Sequence, residues 1–323
     1  MQLDNKKLPA APIAGTPPER SGWLAIVNPA SGRHRSRKGW PAIERALRAA
    51  SVEIETAETR YAGDGEDIAR RAIGEGRRRL LAVGGDGSVN EILNGIMNAG
   101  LPDLSEMTLA VAPTGTGNDW ARSLGIGRAP EDIASVVAAG RTMMHDVGAA
   151  DFPGAAGARR RWFINVAGAG YDAYVTARVP RPPTAFTYLK GALSGLATYR
   201  SPLFRITADE ASFEDRLLLA FVANAQYCGN RMHVAPTARL DDGLLDLLTV
   251  RELGLGAVLT KLAKLYGGTI LGDPAVRHFR AARIRIDADP PAQVQGDGQM
   301  LGQTPVEFTV LRQTLRVVTG HAG

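Results

Sequence analysis

An apolar run that leads directly into a glycine turn and a helical repeat constrains the fold of this chain more than any other stretch. Residues 80–83 are four consecutive apolar residues, typical of a buried strand, and three glycines fall in the next four positions. Apolar residues at helical spacing follow, and Ser88 with Glu91 has the spacing of a capping box. We therefore predict a strand, a glycine turn and a helix. This geometry directs backbone N–H groups and the positive end of a helix dipole to one point, which suits a phosphate group.

Asp86 interrupts the glycines of this turn, where a carboxylate would repel a phosphate. Its presence makes sense if the site also handles a metal ion or the proton of a hydroxyl group. The alternative is structural, because aspartate is common in tight turns. We favour a functional role because two glycines precede Asp86 and a predicted helix follows it.

Strands and helices alternate through about the first 145 residues. The predicted strands cover residues 23–27, 52–59, 80–83 and 107–112, and the predicted helices cover 40–50, 67–74, 120–124 and 130–139. Such alternation predicts a parallel sheet with helices on both faces, an α/β domain of Rossmann-like architecture. A second glycine turn, Pro113-Thr114-Gly115-Thr116-Gly117-Asn118-Asp119, follows the fourth strand. Ligands of open α/β sheets bind at the carboxyl ends of the strands, so we expect the two turns to hold one polyphosphate.

The pattern changes near residue 145, where short β-like runs separated by turns replace the alternation. These runs cover residues 146–150, 162–166, 203–207, 216–223, 244–250, 283–288, 293–296, 306–310 and 315–318. They predict a mainly antiparallel β-sandwich as a second domain. Helical spacing occurs at residues 184–199 and 255–266. The stretch 178–200 mixes apolar with basic residues, and either rests on an anionic membrane surface or packs on the core.

Composition limits the compartment and the partners. Of 323 residues, 38 are Lys or Arg and 33 are Asp or Glu, an excess compatible with nucleotides, lipid headgroups or nucleic acid. Cys228 is the single cysteine, which excludes an intramolecular disulfide and indicates a reducing compartment. No apolar run approaches the ~18 residues needed to span a bilayer, and residues 1–20 lack the apolar core of a signal peptide. We expect a cytoplasmic protein with transient contact at a membrane surface.

Several motifs occur in a fixed order along nearly the whole chain, from about residue 21 to residue 318. They are Asn28-Pro29-Ala30-Ser31-Gly32, Thr59 with Ala62-Gly63-Asp64, Gly84-Gly85-Asp86-Gly87-Ser88-Val89-Asn90-Glu91, the second glycine turn, Ala235-Pro236 with Asp241-Asp242-Gly243-Leu244-Leu245-Asp246, and Gln295-Gly296-Asp297-Gly298-Gln299. One glycine turn alone is weak evidence. The ordered set resembles the diacylglycerol kinase catalytic-domain family, whose superfamily includes bacterial lipid kinases and sphingosine kinases and is distantly related to NAD kinases.

The resemblance implies two domains with the active site in the cleft between them. We divide the chain into a tail (1–20), a nucleotide-binding α/β domain (21–145), a β-rich lipid or substrate domain (146–310) and a segment that returns to the first domain (311–323). The implied reaction transfers the γ-phosphoryl group of ATP, with Mg²⁺, to the hydroxyl of a diacylglycerol-like lipid. The residues implied to line the ATP site are Asn28, Arg33, Thr59, Gly84, Gly85, Asp86, Gly87, Ser88, Val89, Asn90 and Thr116.

The second-domain motif resembles the metal loop of the family. Asp242 would bind a structural Mg²⁺ together with the backbone carbonyls of Arg239 and Leu244, which fits a hard cation with oxygen ligands. The alternative is an ordinary Asp-Gly turn that leads into the strand at 244–250.

The sequence departs from the family at Gln299, where bacterial lipid kinases usually carry a glutamate that accepts the proton. An amide cannot take up a proton. Either Asp86 is the base, or Asp297 takes the role, or the protein is a weak or inactive kinase that binds nucleotide or lipid.

These observations leave three functions. The first is an ATP- and Mg²⁺-dependent lipid kinase with its substrate at a membrane surface, and the second is a catalytically weak regulator. The third is an NAD kinase-like enzyme, against which the loop at 241–246 argues. We expect no nucleic-acid partner, and a homodimer is compatible with the sequence.

Overall fold

The parallel-strand domain forms the first part of the molecule. The structure, a computed structural model, describes residues 20–154, 159–178, 195 and 198–321. The first domain contains β1 (Trp23–Val27), α1 (Ser31–Ala49), β2 (Ile54–Glu58), α2 (Asp64–Gly74), β3 (Arg79–Gly84), α3 (Asp86–Met97), β4 (Thr108–Pro113), α4 (Asp119–Ser123) and α5 (Pro130–Ala139). A short 3₁₀ turn, Leu104–Glu106, precedes β4. Its strands run parallel in the order β2, β1, β3, β4, which confirms the predicted α/β architecture.

The apolar run at residues 80–83 lies at the buried centre of this sheet. Every residue of β3 except Arg79 is buried, because β1 and β4 flank it and helices cover both faces. Gly84 at the end of β3 lies opposite Pro113 at the end of β4. The two glycine turns therefore start side by side at the same edge of the sheet.

The antiparallel strands form the second part of the molecule. They are β5 (Thr142–Phe152), β6 (Arg159–Phe163), β7 (Val166–Gly170), β8 (Leu203–Ala208), β9 (Ala211–Ala223), β10 (Tyr227–Cys228), β11 (Met232–His233), β12 (Leu245–Arg251), β13 (Val276–Ala281), β14 (Arg283–Asp289), β15 (Gln293–Gly296), β16 (Gln299–Gln303) and β17 (Val306–Val318). The helical elements are α6 (Tyr171–Arg178), α7 (Leu255–Tyr266) and a 3₁₀ turn, Ile270–Gly272. A second apolar core, containing Phe204, Leu247 and Phe308, packs between these strands. The predicted β-rich second domain is confirmed.

Strand β17 connects the two domains into one sheet. Its first half pairs antiparallel with β14, and Arg316 and Val317 pair in parallel with Thr108 and Leu109 of β4. The prediction of two separate strands at 306–310 and 315–318 is therefore wrong. They are one strand, because β5 pairs along its length through a bulge between Leu311 and Leu315.

The predicted strand at 162–166 is also wrong, because the ladder breaks between β6 and β7. The backbone N–H groups of Ile164, Asn165 and Val166 donate to the Asp297 carboxylate. Ile164 and Asn165 therefore lie between the two strands and belong to neither. The predicted helix at 255–266 is confirmed. The predicted helix at 184–199 lies largely outside the described residues. Among the described residues, no helix combines the length and apolar character needed to cross a bilayer.

Candidate functional site

The two glycine turns pack directly against each other. A Cβ atom added to Gly115 would lie 2.4 Å from the Cα atom of Gly85, nearer than any side chain allows. The N–H groups of Thr114 and Gly115 both donate to the Gly84 carbonyl, at 2.9 and 3.0 Å. Only glycine permits this approach of the two backbones, so the turns form one continuous surface of main chain.

The N-terminus of α3 faces this surface. The helix begins at Asp86, and no side chain caps it within the described part of the chain. The predicted capping box is therefore wrong: Ser88 lies inside the first turn, where its hydroxyl accepts a hydrogen bond from Asn28 Nδ2 at 3.1 Å. Glu91 instead accepts from the N–H groups of Gly63 and Gly65, at the start of α2. The dipole of α3 is left directed at the turn.

Asp86 ties one turn to the other. Its carboxylate accepts hydrogen bonds from the backbone N–H groups of Asp119 and Trp120, at 3.2 and 3.1 Å. A Cβ on Gly117 would lie 3.1 Å from Asp86 Oδ2, so the second turn touches this carboxylate as well. Burial raises the pKa of Asp86 to about 6, and the neighbouring charge of Asp119 adds to the increase. A carboxyl group of this pKa is ionised at neutral pH and is a stronger base than an exposed aspartate.

Asp119 extends the site to the second domain. Its carboxylate accepts from the backbone N–H groups of Asn230 and Arg231 at 2.8 and 2.7 Å, in the turn between β10 and β11. Asn230 and Arg231 both have positive φ, so this turn presents two successive N–H groups to one carboxylate. Burial raises the pKa of Asp119. The second glycine turn is therefore fixed to both domains.

Asp297 forms a second junction between the domains, and both oxygens of its carboxylate accept hydrogen bonds. It accepts hydrogen bonds from Asn90 Nδ2 and from the N–H groups of Ile164, Asn165 and Val166, at 2.9 to 3.1 Å. Burial raises its pKa, and these donors oppose the increase. Its surroundings are those of a group that fixes the turn between β15 and β16 relative to α3.

Gln299 reaches the first glycine turn from that same hairpin. A Cβ atom on Gly87 would lie 2.8 Å from Gln299 Nε2, so the amide packs against the backbone next to Asp86. The structure thus brings Asp86, Gly87 and Gln299 together from residues more than 200 positions apart.

The remaining residues of the predicted nucleotide site lie in three settings. Asn28 and Thr59 follow β1 and β2 at the same sheet edge, where the Thr59 N–H donates to the Val27 carbonyl. Thr116 and Arg33 are exposed, and Arg33 lies in a left-handed stretch at the start of α1. Val89 and Asn90 are buried, so nucleotide contact there would be through the backbone.

Sequence reasoning missed two arginines that hold the second turn. Arg35 donates to the Gly115 carbonyl at 3.0 Å and to Thr116 Oγ1 at 3.2 Å. Arg128 donates to the carbonyls of Thr116 and Gly117. Arg35 lies in the basic stretch of residues 33–38 that follows β1, and Gly115, which it binds, lies 80 positions further along the chain.

At the predicted second-domain metal loop, the carboxylate that would bind Mg²⁺ is paired with an arginine. Asp242 Oδ1 accepts from the Leu244 N–H at 3.1 Å, and Oδ2 forms an ion pair with Arg280. Arg280 Nε also lies 3.4 Å from Asp246 Oδ2. No cluster of three His, Cys, Asp or Glu side chains suited to a metal occurs in the part of the chain that the structure describes. The guanidinium group of Arg280 therefore already supplies positive charge at this loop, and Mg²⁺ binding by Asp242 with the backbone carbonyls of Arg239 and Leu244 stays a prediction.

Comparison with known proteins gives matches over nearly the whole chain. Residues 22–150 match the model of the diacylglycerol kinase catalytic domain, and residues 165–319 match that of the YegS C-terminal NAD kinase beta sandwich-like domain. The chain is 30% identical over 301 residues to a diacylglycerol kinase of Bacillus subtilis, covering 91% of this chain and 94% of the relative. It is 30% identical to a diacylglycerol kinase of Staphylococcus aureus, with 90% of each chain covered.

Solved structures show the same fold. A crystal structure of a diacylglycerol kinase from Bacillus anthracis has a TM-score of 0.71 at 24% identity, covering 93% of this chain and 97% of that one. A second structure from the same organism has a TM-score of 0.73 at 25% identity, with the same coverage.

Proposed function

This chain belongs to the diacylglycerol kinase family, and we propose that it transfers the γ-phosphoryl group of ATP to the hydroxyl of a diacylglycerol-like lipid. The observation that carries the proposal is the paired glycine turns, which meet Asp86 on one side and Gln299 of the second domain on the other.

The residues present fit a nucleotide at the paired turns. Phosphoryl transfer depends mainly on positioning and charge stabilisation, and glycine backbone next to a helix N-terminus provides both. Arg35 and Arg128 bind carbonyl groups of the second turn and so fix its conformation. Mg²⁺ bound with ATP would neutralise phosphate charge, and Asp86 is the carboxylate of this chain placed to hold it or to receive a proton.

In the proposed reaction the acceptor oxygen bonds to the γ-phosphorus as the bond to the bridging oxygen of ADP breaks. The hydroxyl proton passes to Asp86, which is ionised above pH 6. Gln299 cannot accept a proton, so it would orient the acceptor through hydrogen bonds. Asp297 already accepts four hydrogen bonds and would keep its structural role.

Gln299 also supports a second candidate function, a regulator that binds nucleotide or lipid with little turnover. Its amide contacts Gly87 where the family carries a glutamate. Loose phosphoryl-transfer transition states need little help from a base, which ranks the kinase first.

The test is a phosphorylation assay with purified full-length protein, ATP, Mg²⁺ and a panel of lipid alcohols, with NAD as a soluble acceptor and mass spectrometry as the readout. We expect a phospholipid product from the natural chain. We expect the turnover of Asp86→Asn to be lower by a factor of at least about 100. Asp67→Asn is the matched control, since it makes the same change on the exposed face of α2.

The absence of a product from every lipid, for the natural chain and for Gln299→Glu alike, would overturn the kinase proposal. Nucleotide binding without turnover would then support the regulator. Phosphorylation of NAD alone would assign the soluble acceptor.

A further inference from the structure

Three asparagines lie on one face of α3, because they are spaced four residues apart. They are Asn90, Asn94 and the C-cap residue Asn98, and the first two are completely buried. A buried side-chain amide loses its hydrogen bonds to water, which costs free energy unless protein groups replace that water. The two buried amides, the asparagine pair, find their partners in each other and in the second domain.

Asn94 binds the main chain of β6 as a neighbouring strand would. Its Oδ1 accepts from the Trp162 N–H at 3.1 Å, and its Nδ2 donates to the Trp162 carbonyl at 3.1 Å. Among the described strands, β6 pairs with β5 alone, so its other edge faces α3 without a strand partner. The amide of Asn94 therefore takes the place of a peptide group at this edge.

Asn90 connects the same strand to the hairpin of β15 and β16. Its Nδ2 donates to the Trp162 carbonyl and to Asp297 Oδ2, at 2.9 Å each. Its Oδ1 accepts from Asn94 Nδ2 at 3.2 Å. Both N–H groups of the Asn90 amide are thus engaged within the protein, so this side chain has no donor left for a nucleotide.

These contacts lie one helical turn from the candidate site. Asn90 follows Asp86 by four residues, about 6 Å along the helix, and Asp297 precedes Gln299 by two residues. Gln299 in turn packs on Gly87. A shift of α3 relative to Asp297 would therefore move Asp86 relative to Gln299, and a misplacement of about 1 Å can lower a reaction rate about 100-fold.

The contacts that join the two glycine turns do not involve the asparagine pair. The N–H groups of Thr114 and Gly115 bind the Gly84 carbonyl, and the Asp86 carboxylate binds the start of α4. All of these contacts lie within the first domain. Loss of the asparagine pair should therefore impair transfer between the domains more than it impairs the binding of ATP.

We propose that Asn90 and Asn94 are positioning residues for phosphoryl transfer, an inference that rests on the proposed lipid kinase function. They hold α3 against β6 and Asp297, and so they fix Asp86 relative to Gln299. Neither side chain contacts a substrate, and each acts through the groups that it holds in place.

The test compares Asn90→Leu and Asn94→Leu with the natural full-length chain in the lipid phosphorylation assay, with ATP affinity measured by calorimetry. Leucine is close to asparagine in size but forms no side-chain hydrogen bond. We expect kcat to fall at least about tenfold in each variant, whereas Kd for ATP should stay within about twofold. Asn94→Ser, which keeps one hydroxyl group, should have an intermediate kcat.

Asn98→Leu is the matched control, because it makes the same change at the exposed end of the same helix face. Asn98 binds Glu66 and the Trp162 side chain, and it does not contact the main chain of β6 in the described structure. Its kcat should stay within about twofold of that of the natural chain. Circular dichroism identifies the variants that are folded at the assay temperature, and Asn94→Ser decides the matter if neither of the two buried-site leucine variants is folded.

An unchanged kcat in the folded variants would overturn the inference. A loss of ATP affinity as large as the loss of kcat would also overturn it, because the asparagine pair would then support the nucleotide site itself. A natural chain that phosphorylates nothing would reject the kinase function, and unfolding calorimetry would then decide whether the pair fixes the domains. Two endotherms in the double variant, against one in the natural chain, would retain that role, whereas one endotherm in both would reject it.

Discussion

At the scale of single residues, three aspartates near the domain junction differ in the number of donors that surround them. Asp297 accepts four hydrogen bonds, Asp86 accepts two from backbone, and Asp172 accepts one from Gln295 and keeps one oxygen unbonded. A carboxylate whose oxygens already accept several hydrogen bonds has little capacity to contact a substrate hydroxyl, and it acts as a structural tie. The same residue type therefore serves as a structural support at Asp297 and as the proposed base at Asp86.

The pKa of Asp86 predicts the pH dependence of the reaction. Since burial raises this pKa to about 6, the carboxylate forms as the pH rises through 6. We expect kcat/KM to rise about tenfold per pH unit below 6 and to level off above 7. Asp86→Asn should remove this acidic limb from the profile measured between pH 5 and 9. A limb that persists unchanged in the variant would assign the titration to another group.

The raised pKa of Asp172 predicts that this residue destabilises the folded chain as the pH rises. A salt-bridged aspartate, whose pKa is lowered, has the opposite effect. Its pKa in the folded chain, about 7, exceeds the ordinary aspartate value of 3.8, so the folded chain binds more protons than the unfolded chain between these pH values. The contribution of Asp172 to stability is thus largest at low pH and falls as the pH rises from 4 through 7. Asp172→Asn should raise the free energy of unfolding by about 1–2 kcal/mol at pH 8 and by less at pH 5, measured by urea titration. A variant that is less stable at pH 8 would contradict this prediction.

At the scale of elements, the close approach of the two glycine turns sets a strict steric limit. Gly115→Ala would place a methyl group 2.4 Å from the Gly85 Cα atom, so one turn must move. We expect ATP affinity to fall at least tenfold and stability to fall by about 1–3 kcal/mol. Gly39→Ala in α1 is the control, because nothing lies within 4 Å of its new methyl group. Equal ATP affinity for both variants, by calorimetry, would show that the turns do not form the nucleotide site.

Strand β13, which pairs antiparallel with β12, supplies a cation to the Asp242 loop through Arg280. Arg280 bridges Asp242 and Asp246, and Asp246 also accepts from His278 and Thr237. We expect EDTA to change Tm of the nucleotide-free chain by less than about 1 °C, and Arg280→Gln to destabilise it by about 1–3 kcal/mol. Arg283→Gln, on an exposed pair with Glu307, should cost less than about 1 kcal/mol.

Stability of the Arg280→Gln variant should then increase with added Mg²⁺, because the acidic loop has lost its counterion. A natural chain that loses stability in EDTA and recovers it with Mg²⁺ would show that the loop binds the metal despite Arg280.

At the scale of the whole molecule, ties between the domains predict a single unfolding transition. Asp119 and Asp297 each join residues of both domains, and β17 pairs with β14 and β4. Calorimetry should show one endotherm, with the calorimetric and van't Hoff enthalpies equal. Asp297→Ala, which leaves four donors without their acceptor, should lower the free energy of unfolding by about 3 kcal/mol or more. Two resolved endotherms in the natural chain would contradict this view.

Much of this architecture follows from the sequence, because local patterns specify it. The apolar run of β3, its glycine turn and the alternation of strands with helices give the first domain, and even the bounds of α5 and α7 agree. The wrong predictions concern places where residues far apart in the sequence determine the local structure. Glu91 caps α2 rather than its own helix, and the break between β6 and β7 exists because Asp297 takes their N–H groups. Hydrophobic periodicity shows which face of a helix or strand is buried, whereas a contact between residues about 130 positions apart leaves no local pattern in the sequence.

The same reason explains what the sequence shows of the candidate site. Glycines and acids at strand ends identify the turns, since their spacing is local. The arginines that hold the second turn and the packing of Gln299 on Gly87 depend on how the chain folds back on itself.

Strand β17 has a consequence for how the chain reaches this structure during synthesis. Thr108 and Leu109 of β4 pair with Arg316 and Val317, which are translated about 200 residues later. Until then the first domain presents an open strand edge, the kind of surface that attracts neighbouring chains. We therefore expect the nascent first domain to be prone to misassembly on the ribosome. The free edge of β4 is covered only after the second domain has been translated and β17 has paired with it. Because this pairing joins distant parts of the chain, we expect it to slow folding.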